Sequence, residues 1–193
     1  MGEYFEIRWH GRGGQGAKTA ALLFGTACMA TGKFFQGFPE YGPERTGAPV
    51  RAYNRLSDKP ITIHSGIKTP DVVVVLDPTL IKSENVVEGL KDDGIIIVNT
   101  PMSPQELRKK LGLKPTQKLY TIDASGIARD TLKRDIPNTP MLGALVRVTG
   151  IISLEELLKD TEAKLRAKFR DRPQLVDVNL EAIKRAYNEV REA

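Results

Sequence analysis

Two short runs, Val72 to Leu76 within PDVVVVLD and the β-branched core of GIIIVNT, constrain the fold of this 193-residue chain more than anything else in it. Each is continuous, β-branched and bounded by turn residues, which suits a strand buried on both faces. A sheet without a solvent face needs helices above and below it. The remaining sequence supplies them, because β-type runs alternate with helix-type segments along the chain. YFEIRWH, Tyr4 to His10, alternates and predicts the first strand; KFFQGF predicts a short second one and LYTIDA a later one. Ala17 to Thr31 is rich in Ala, Leu and Met with small residues on every side, which predicts a buried helix lying close on the sheet. VRAYNRLS and PITIHSG read as two strands joined by a turn at Ser57 to Lys59, outside the strict alternation.

Two helix starts are marked by side chains that can cap them. Ser103 precedes Pro104 and has Glu106 three residues on, and Ser153 stands three before Glu156. Leu154, Leu157, Leu158 and Leu165 then share one helical face, as do Leu180, Ile183, Tyr187 and Val190, with KFRDRPQLVD as the connection between them. With no internal repeat and no long linker, the expectation is a single α/β domain over residues 1–193. It should be Rossmann-like and doubly wound, with a mostly parallel sheet, helices on both faces and a C-terminal helical extension.

Composition narrows the function classes. The single cysteine, Cys28, sits in the apolar run AALLFGTACMATG, so no internal disulfide can form and no cysteine set is present for zinc or an iron–sulfur cluster. It reads as a buried, inert thiol. The N-terminus MGEYFEIRWHG lacks the basic start and apolar core of a secretion signal, and no apolar run approaches a membrane span, so a cytoplasmic protein is expected. The net charge of +5 comes from Lys and Arg scattered among 24 acids, without a basic block or interleaved aromatics. That excludes a nucleic-acid surface and suits an anionic small ligand or an acidic partner.

HGRGGQGAKTA is the local feature with most chemistry in it. Gly11, Gly13 and Gly16 match G-x-G-x-x-G where the first strand passes into the first helix. Such glycines permit positive φ and close backbone approach, and the helix start offers free amides to an anion. A tight strand-to-helix turn needs the same glycines without any ligand, and the motif alone leaves both readings open. Dinucleotide binding would also need an acid at the end of the second strand to hold the ribose hydroxyls. Phe34 to Phe38 has none, and Glu40 already stands among prolines. A P-loop fails because Lys18 and Thr19 follow Gly16 one residue late, which turns the lysine by about 100°. Asp77 reads as a turn residue before Pro78. His10 and His64 each end an expected strand, with no nucleophile or metal-ligand spacing beside them. No G-x-S-x-G elbow and no G-D-G run for a thiamine diphosphate site is present, so no catalytic residue and no metal ligand is expected in this chain.

Taken in order, EIRWHGRGGQGAKTAA, FPEYGPERTGAPVRAYNR, PDVVVVLDPTLI and IPNTPMLGALVRVTG resemble the γ subunits of pyruvate and other 2-oxoacid:ferredoxin oxidoreductases, over nearly the whole chain. The resemblance implies a complex that oxidatively decarboxylates a 2-oxoacid to an acyl-coenzyme A and CO2 and reduces ferredoxin. It would use thiamine diphosphate, Mg2+, [4Fe-4S] clusters and coenzyme A, with the thiamine and cluster sites on α, β and δ partner subunits and none of these cofactors bound by this chain alone. The γ chain is then structural, with a part in the coenzyme A site falling to Gly11, Arg12, Gly13, Gly14, Gln15 and Gly16, aided by the charge of Arg12 or Lys18. Tyr41, Glu44 and Arg45 in the proline-stiffened loop, with Asn138, Thr139 and Met141, are the candidates for a subunit interface or for lining the approach to the active centre; Asn138 equally suits a helix cap. Three readings compete: the γ chain of an indolepyruvate or 2-oxoglutarate enzyme, a stand-alone nucleotide-binding protein, and a purely architectural subunit.

Overall fold

A computed structural model of the chain describes residues 3–40 and 47–193, with only the backbone of residues 39 and 40. Its seven strands are β1 (Phe5–Arg12), β2 (Phe34–Glu40), β3 (Pro49–Ser57), β4 (Val72–Val75), β5 (Ile95–Asn99), β6 (Lys118–Ile122) and β7 (Arg191–Glu192). The helices are α1 (Ala17–Ala30), α2 (Leu80–Ser83), α3 (Pro104–Leu111), α4 (Ala124–Leu132), α5 (Asn138–Thr149), α6 (Leu154–Lys168) and α7 (Gln174–Glu189). All strands form one sheet in the order β2-β3-β1-β4-β5-β6-β7. β1, β4, β5 and β6 run parallel at its centre, and β3 lies antiparallel between β1 and β2.

The runs Val72–Val75 and Ile96–Val98 are fully buried, as their lack of alternation requires. Their side chains divide between two cores. Val72, Val74 and Ile97, with Ile7 and Trp9 of β1, pack under α1, α5, α6 and α7, whereas Val73, Val75, Ile96 and Val98 pack against Leu80, Val86, Leu90 and Leu107. The sheet is therefore covered on both faces, with the thicker layer on the side of α1. Asn54, wholly buried, links three elements of that layer: it accepts from the Trp9 indole at 2.7 Å and donates to the Ala21 carbonyl at 2.8 Å.

The second strand is present, but the glycine-linked chain does not place it beside β1. α1 carries it one position further out, and β3 fills the gap as the antiparallel partner of both. PITIHSG is not a strand. Pro60 lacks a ladder donor, and β2 already takes the place beside β3, so the segment crosses the sheet face instead, held where the buried Arg55 guanidinium donates to the Ser65 carbonyl at 2.9 Å.

At Ser153 the full reciprocal box forms with Glu156, while at Ser103 the bond from the Glu106 amide forms at 3.4 Å. The second half of KFRDRPQLVD is helical, because Pro173 supplies a helix-compatible φ of −58° and α7 starts at once behind it. The stripe that α7 buries is consequently Val176, Ala182, Ile183 and Ala186, with Tyr187 and Val190 partly buried, and Leu180 is only half-buried. α4, capped by Asp123, and the β7 pairing to β6 were not signalled by periodicity.

α5 and α7 touch at Gly143, where any Cβ would strike the Ile183 carbonyl of α7. Gly143→Val should therefore lower stability by about 1–3 kcal/mol through forced separation of the two helices, which urea midpoints will report; an unchanged midpoint would show that the pair relaxes freely.

Candidate functional site

β1 does not end at His10 but continues through Gly11 and Arg12, paired with Val50 and Pro49 of β3. The chain then turns through Gly13 to Gln15 and enters α1 at Gly16, whose φ of +82° is the left-handed value that favours glycine. Gly14 lies in the same region at +97°. Because the connection after β1 passes over one face and that after β4 over the other, the carboxyl ends of these neighbouring strands form the sheet's topological switch point. The glycine loop sits there.

That crevice is closed by the chain's own side chains. Asp77, at the end of β4, accepts from Gln15 Nε2 at 2.8 Å, from the Thr79 amide at 2.9 Å and hydroxyl at 2.6 Å, and stands 3.3 Å from Arg12 Nε. Arg12 also donates to the Thr79 hydroxyl and the Gly47 carbonyl, and Gln15 Oε1 accepts from the Arg12 amide. Asp77 does form the expected turn, yet it also ties the glycine loop to β4. A sequence signal existed for this, a lone acid ending a buried strand opposite a glycine run.

The loop's own amides are partly engaged. Those of Arg12, Gly13 and Gln15 donate to Gln15 Oε1, the Ala48 carbonyl and the Arg12 carbonyl. Beyond them the chain enters the first turn of α1, which has neither a side-chain cap nor an acidic residue. Lys18 and Thr19 stand exposed on that turn. Here the structure joins two of the sequence candidates: the Asn138 side chain lies against Gly16, so that a Cβ at position 16 would stand 2.6 Å from Asn138 Nδ2. Asn138 is the first residue of α5 and not its N-cap, which is Pro137; its Oδ1 accepts the neighbouring Thr139 amide at 2.8 Å. Thr139 is buried and its hydroxyl meets Asn179 of α7 at 3.0 Å. Met141 is wholly buried among the core residues of α5, one turn inward, and leaves the set of surface candidates. Tyr41, Glu44 and Arg45 lie outside the described residues. A groove of about 620 Å³ opens beside Asn138, Thr139 and Thr19.

The two histidines are apart. His10 is buried and accepts from Arg8 Nε at 2.9 Å, and burial, reinforced by the charges of Arg8 and Arg51, lowers its pKa from 6.5 to about 3. His64 meets Gln36 in the irregular segment over β2. Burial pushes the Cys28 thiol up to about 12, which keeps it protonated. Among the described residues no group of three or more His, Cys, Asp or Glu could hold a metal ion, and no helix is long and apolar enough to cross a membrane.

The acid side of the stability curve follows from this site. For Asp77, burial alone would raise the carboxyl, but hydrogen bonds from Thr79 and Gln15 and the charge of Arg12 outweigh it and hold it below its ordinary value. Its contribution is present above the unfolded carboxylate value and fades as pH falls. His10 stays neutral in the fold, whereas the unfolded ring takes a proton, so stability also falls between pH 6.5 and about 3. Asp77→Asn should be less stable near neutrality and show a shallower acid decline, measured by urea midpoints across that range; an unaltered acid slope would deny Asp77 this role.

The family model described as pyruvate ferredoxin/flavodoxin oxidoreductase matches residues 6–189. The pyruvate synthase subunit PorC of Thermotoga maritima is 51% identical over 98% of this chain and 96% of its own. The pyruvate/ketoisovalerate oxidoreductases common subunit gamma of Thermococcus kodakarensis is 52% identical over 81% of this chain and 85% of its own. The crystal structure of pyruvate oxidoreductase subunit PORC from Thermotoga maritima superposes with a TM-score of 0.86 at 48% identity, covering 99% of both chains. At 21% identity, a 2-oxoglutarate:ferredoxin oxidoreductase from Magnetococcus marinus shares the fold, with a TM-score of 0.78 over 97% of this chain and 31% of that one.

Proposed function

The chain belongs to the pyruvate ferredoxin/flavodoxin oxidoreductase family, and from that premise we infer that it is the γ subunit of a multi-subunit pyruvate:ferredoxin oxidoreductase. The observation that carries this is the 51% identity to a pyruvate synthase subunit along 98% of the chain, with no part of the fold left over for a different task. The chain is thus one component of an oxidoreductase and works with companion subunits. We assign the thiamine diphosphate, Mg2+ and [4Fe-4S] sites to those companions, the α, β and δ chains, with ferredoxin as electron acceptor and the cytoplasm as the compartment. The single buried cysteine supports this division, since a four-cysteine cluster set cannot come from this chain.

Within the complex, the proposed task of the glycine loop is to meet an anionic group of coenzyme A. The first turn of α1, without a side-chain cap or an acidic residue, presents the positive end of the helix dipole, and Asn138 adds a side-chain amide beside Gly16. Asp77 works against a second anion in the crevice itself, so the phosphate position lies toward α1 and Asn138 and away from β4. The residues of this chain would bind and orient; coenzyme A, when present, supplies the thiol that accepts the acyl group. The dinucleotide reading loses its geometric basis, because β3 separates β2 from β1 and no second-strand terminus borders the loop.

Two measurements test the assignment. Pyruvate-dependent reduction of a low-potential dye should require companion subunits, and robust turnover by this chain alone would overturn the subunit reading. In the assembled enzyme, Gly14→Asp should raise KM for coenzyme A roughly tenfold, while Gly14→Asn, which also tolerates the left-handed backbone but carries no charge, should raise it far less. KM for pyruvate should not change in either; equal KM for coenzyme A in wild type and Gly14→Asp would remove the loop from that site.

A further inference from the structure

The groove beside α5 has a chemistry that the glycine loop does not explain. Its walls are apolar, formed by Leu23 of α1, Leu132 of α4, Leu165 and Phe169 at the end of α6 and Leu175 of α7. Its rim is cationic: Arg134 follows α4, Lys168 ends α6 and Arg172 precedes α7. All three are exposed, and among the described residues none has a carboxylate partner. Nearby cations on the same helical layer do have them, Arg129 with Asp135, Arg166 with Glu162 and Arg185 with both Asp130 and Glu189. Three unopposed cations around an apolar trough set up a positive potential that an acidic surface would relieve.

Several polar groups of the floor pair with one another. The Thr139 hydroxyl meets Asn179 Oδ1, Asn179 Nδ2 donates to the Leu175 carbonyl at 2.6 Å, and Asn138 Oδ1 accepts the Thr139 amide. A compact phosphate ligand needs donors that converge on a few oxygens. Here the cations are spread around the mouth, Arg134 between α4 and α5 and Lys168 and Arg172 at the two ends of the α6–α7 connection, and the floor offers contact surface. α1, which lends Leu23 to the groove, also carries Leu22 and Met29 more than half exposed, and its only charged residue is Lys18. A helix without a charged outer face is the kind found covered by another element.

We propose that this groove seats an acidic, amphipathic segment of a companion subunit, with aliphatic or aromatic side chains against Leu23, Leu165 and Phe169 and carboxylates facing Arg134, Lys168 and Arg172. The proposal rests on the subunit assignment made above. It is a helix-in-groove contact in which apolar anchors supply affinity and the rim charges supply orientation.

The test is made on the complex obtained by co-expressing the full chain with its companion subunits. Hydrogen exchange read by mass spectrometry is compared for the chain alone and in the complex. Peptides over 132–139 and 165–175 should become protected on assembly. The triple reversal Arg134→Glu, Lys168→Glu, Arg172→Glu changes exposed side chains only; it should leave the thermal midpoint of the isolated chain in place while weakening its association with the other subunits by roughly a hundredfold or more. Wild-type association should weaken with added salt, and the reversed chain's should not. If the triple variant misfolds, Arg172→Glu alone should give a smaller loss in the same direction, and the wild-type exchange footprint decides without any substitution. A complex that assembles with these peptides unprotected, or one that the reversed chain joins with full affinity, overturns the proposal and leaves the subunit assignment standing. Normal assembly with a raised KM for coenzyme A overturns it in favour of a small anionic ligand. Failure of any companion to associate with the wild-type chain removes both.

Discussion

The rest of this molecule depends on four adjacent parallel strands, β1, β4, β5 and β6, of which the central β4 is wholly buried and β5 nearly so. Burial on both sides leaves little room for polar side chains along β4 and β5, so polarity is displaced to the carboxyl ends of the strands. Asp77, Asn99 and Asp123 stand there in succession: Asp77 holds Thr79 in the turn that follows it, Asn99 reaches across to Ser125 at the start of α4, and Asp123 caps the same helix. The glycine loop joins this polar edge at its β1 end. A functional region at that edge is thus a consequence of how the core is built, independent of any particular ligand.

The two-faced strands were legible because their composition carries the constraint directly. A run such as Val72–Val75 cannot satisfy any other environment. The same clarity held for Ser153 and Glu156, whose roles are set by a three-residue spacing. Legibility failed where a local pattern competed with long-range pairing. PITIHSG alternates as a strand does, yet a strand requires a free ladder, and β2 had already taken the edge of β3. The antiparallel insertion of β3 was also beyond local reading, because nothing in VRAYNRLS states which neighbour it will have. At the site, the glycine turn was readable from its residues, whereas the meeting of Gly16 with Asn138, 122 positions later, is produced by the packing of α5 across α1. Met141 shows the converse: a residue in a distinctive motif that the packing of α5 buries in the core.

The chain combines a rigid interior with surfaces that fit other bodies. Two of its buried titratable groups, His10 and Cys28, are held in their neutral forms by burial. A group held neutral across the physiological range is a poor proton carrier. The outward faces, by contrast, include exposed apolar side chains on α1 and an unopposed cationic rim, and both favour contact with further chains.

The irregular stretches of the fold are fastened in one recurring way. Arg55 donates to the Ser65 carbonyl, Arg8 to the carbonyls of Val86 and Glu88, Arg108 to those of Lys114 and Gln117, and Arg191 to those of Pro101 and Met102. Every one of these clasps grips peptide oxygen, an atom that all residue types possess. Mutation within the clasped loops therefore leaves the grip intact, so long as backbone path and length are kept. Replacing Arg8, Arg108 or Arg191 frees two or more carbonyls at once, and replacing Arg55 frees that of Ser65. Over evolutionary time the loops of such a protein are free to diverge in sequence while four scattered arginines, far apart in the chain and away from the glycine turn, are held fixed by architecture alone.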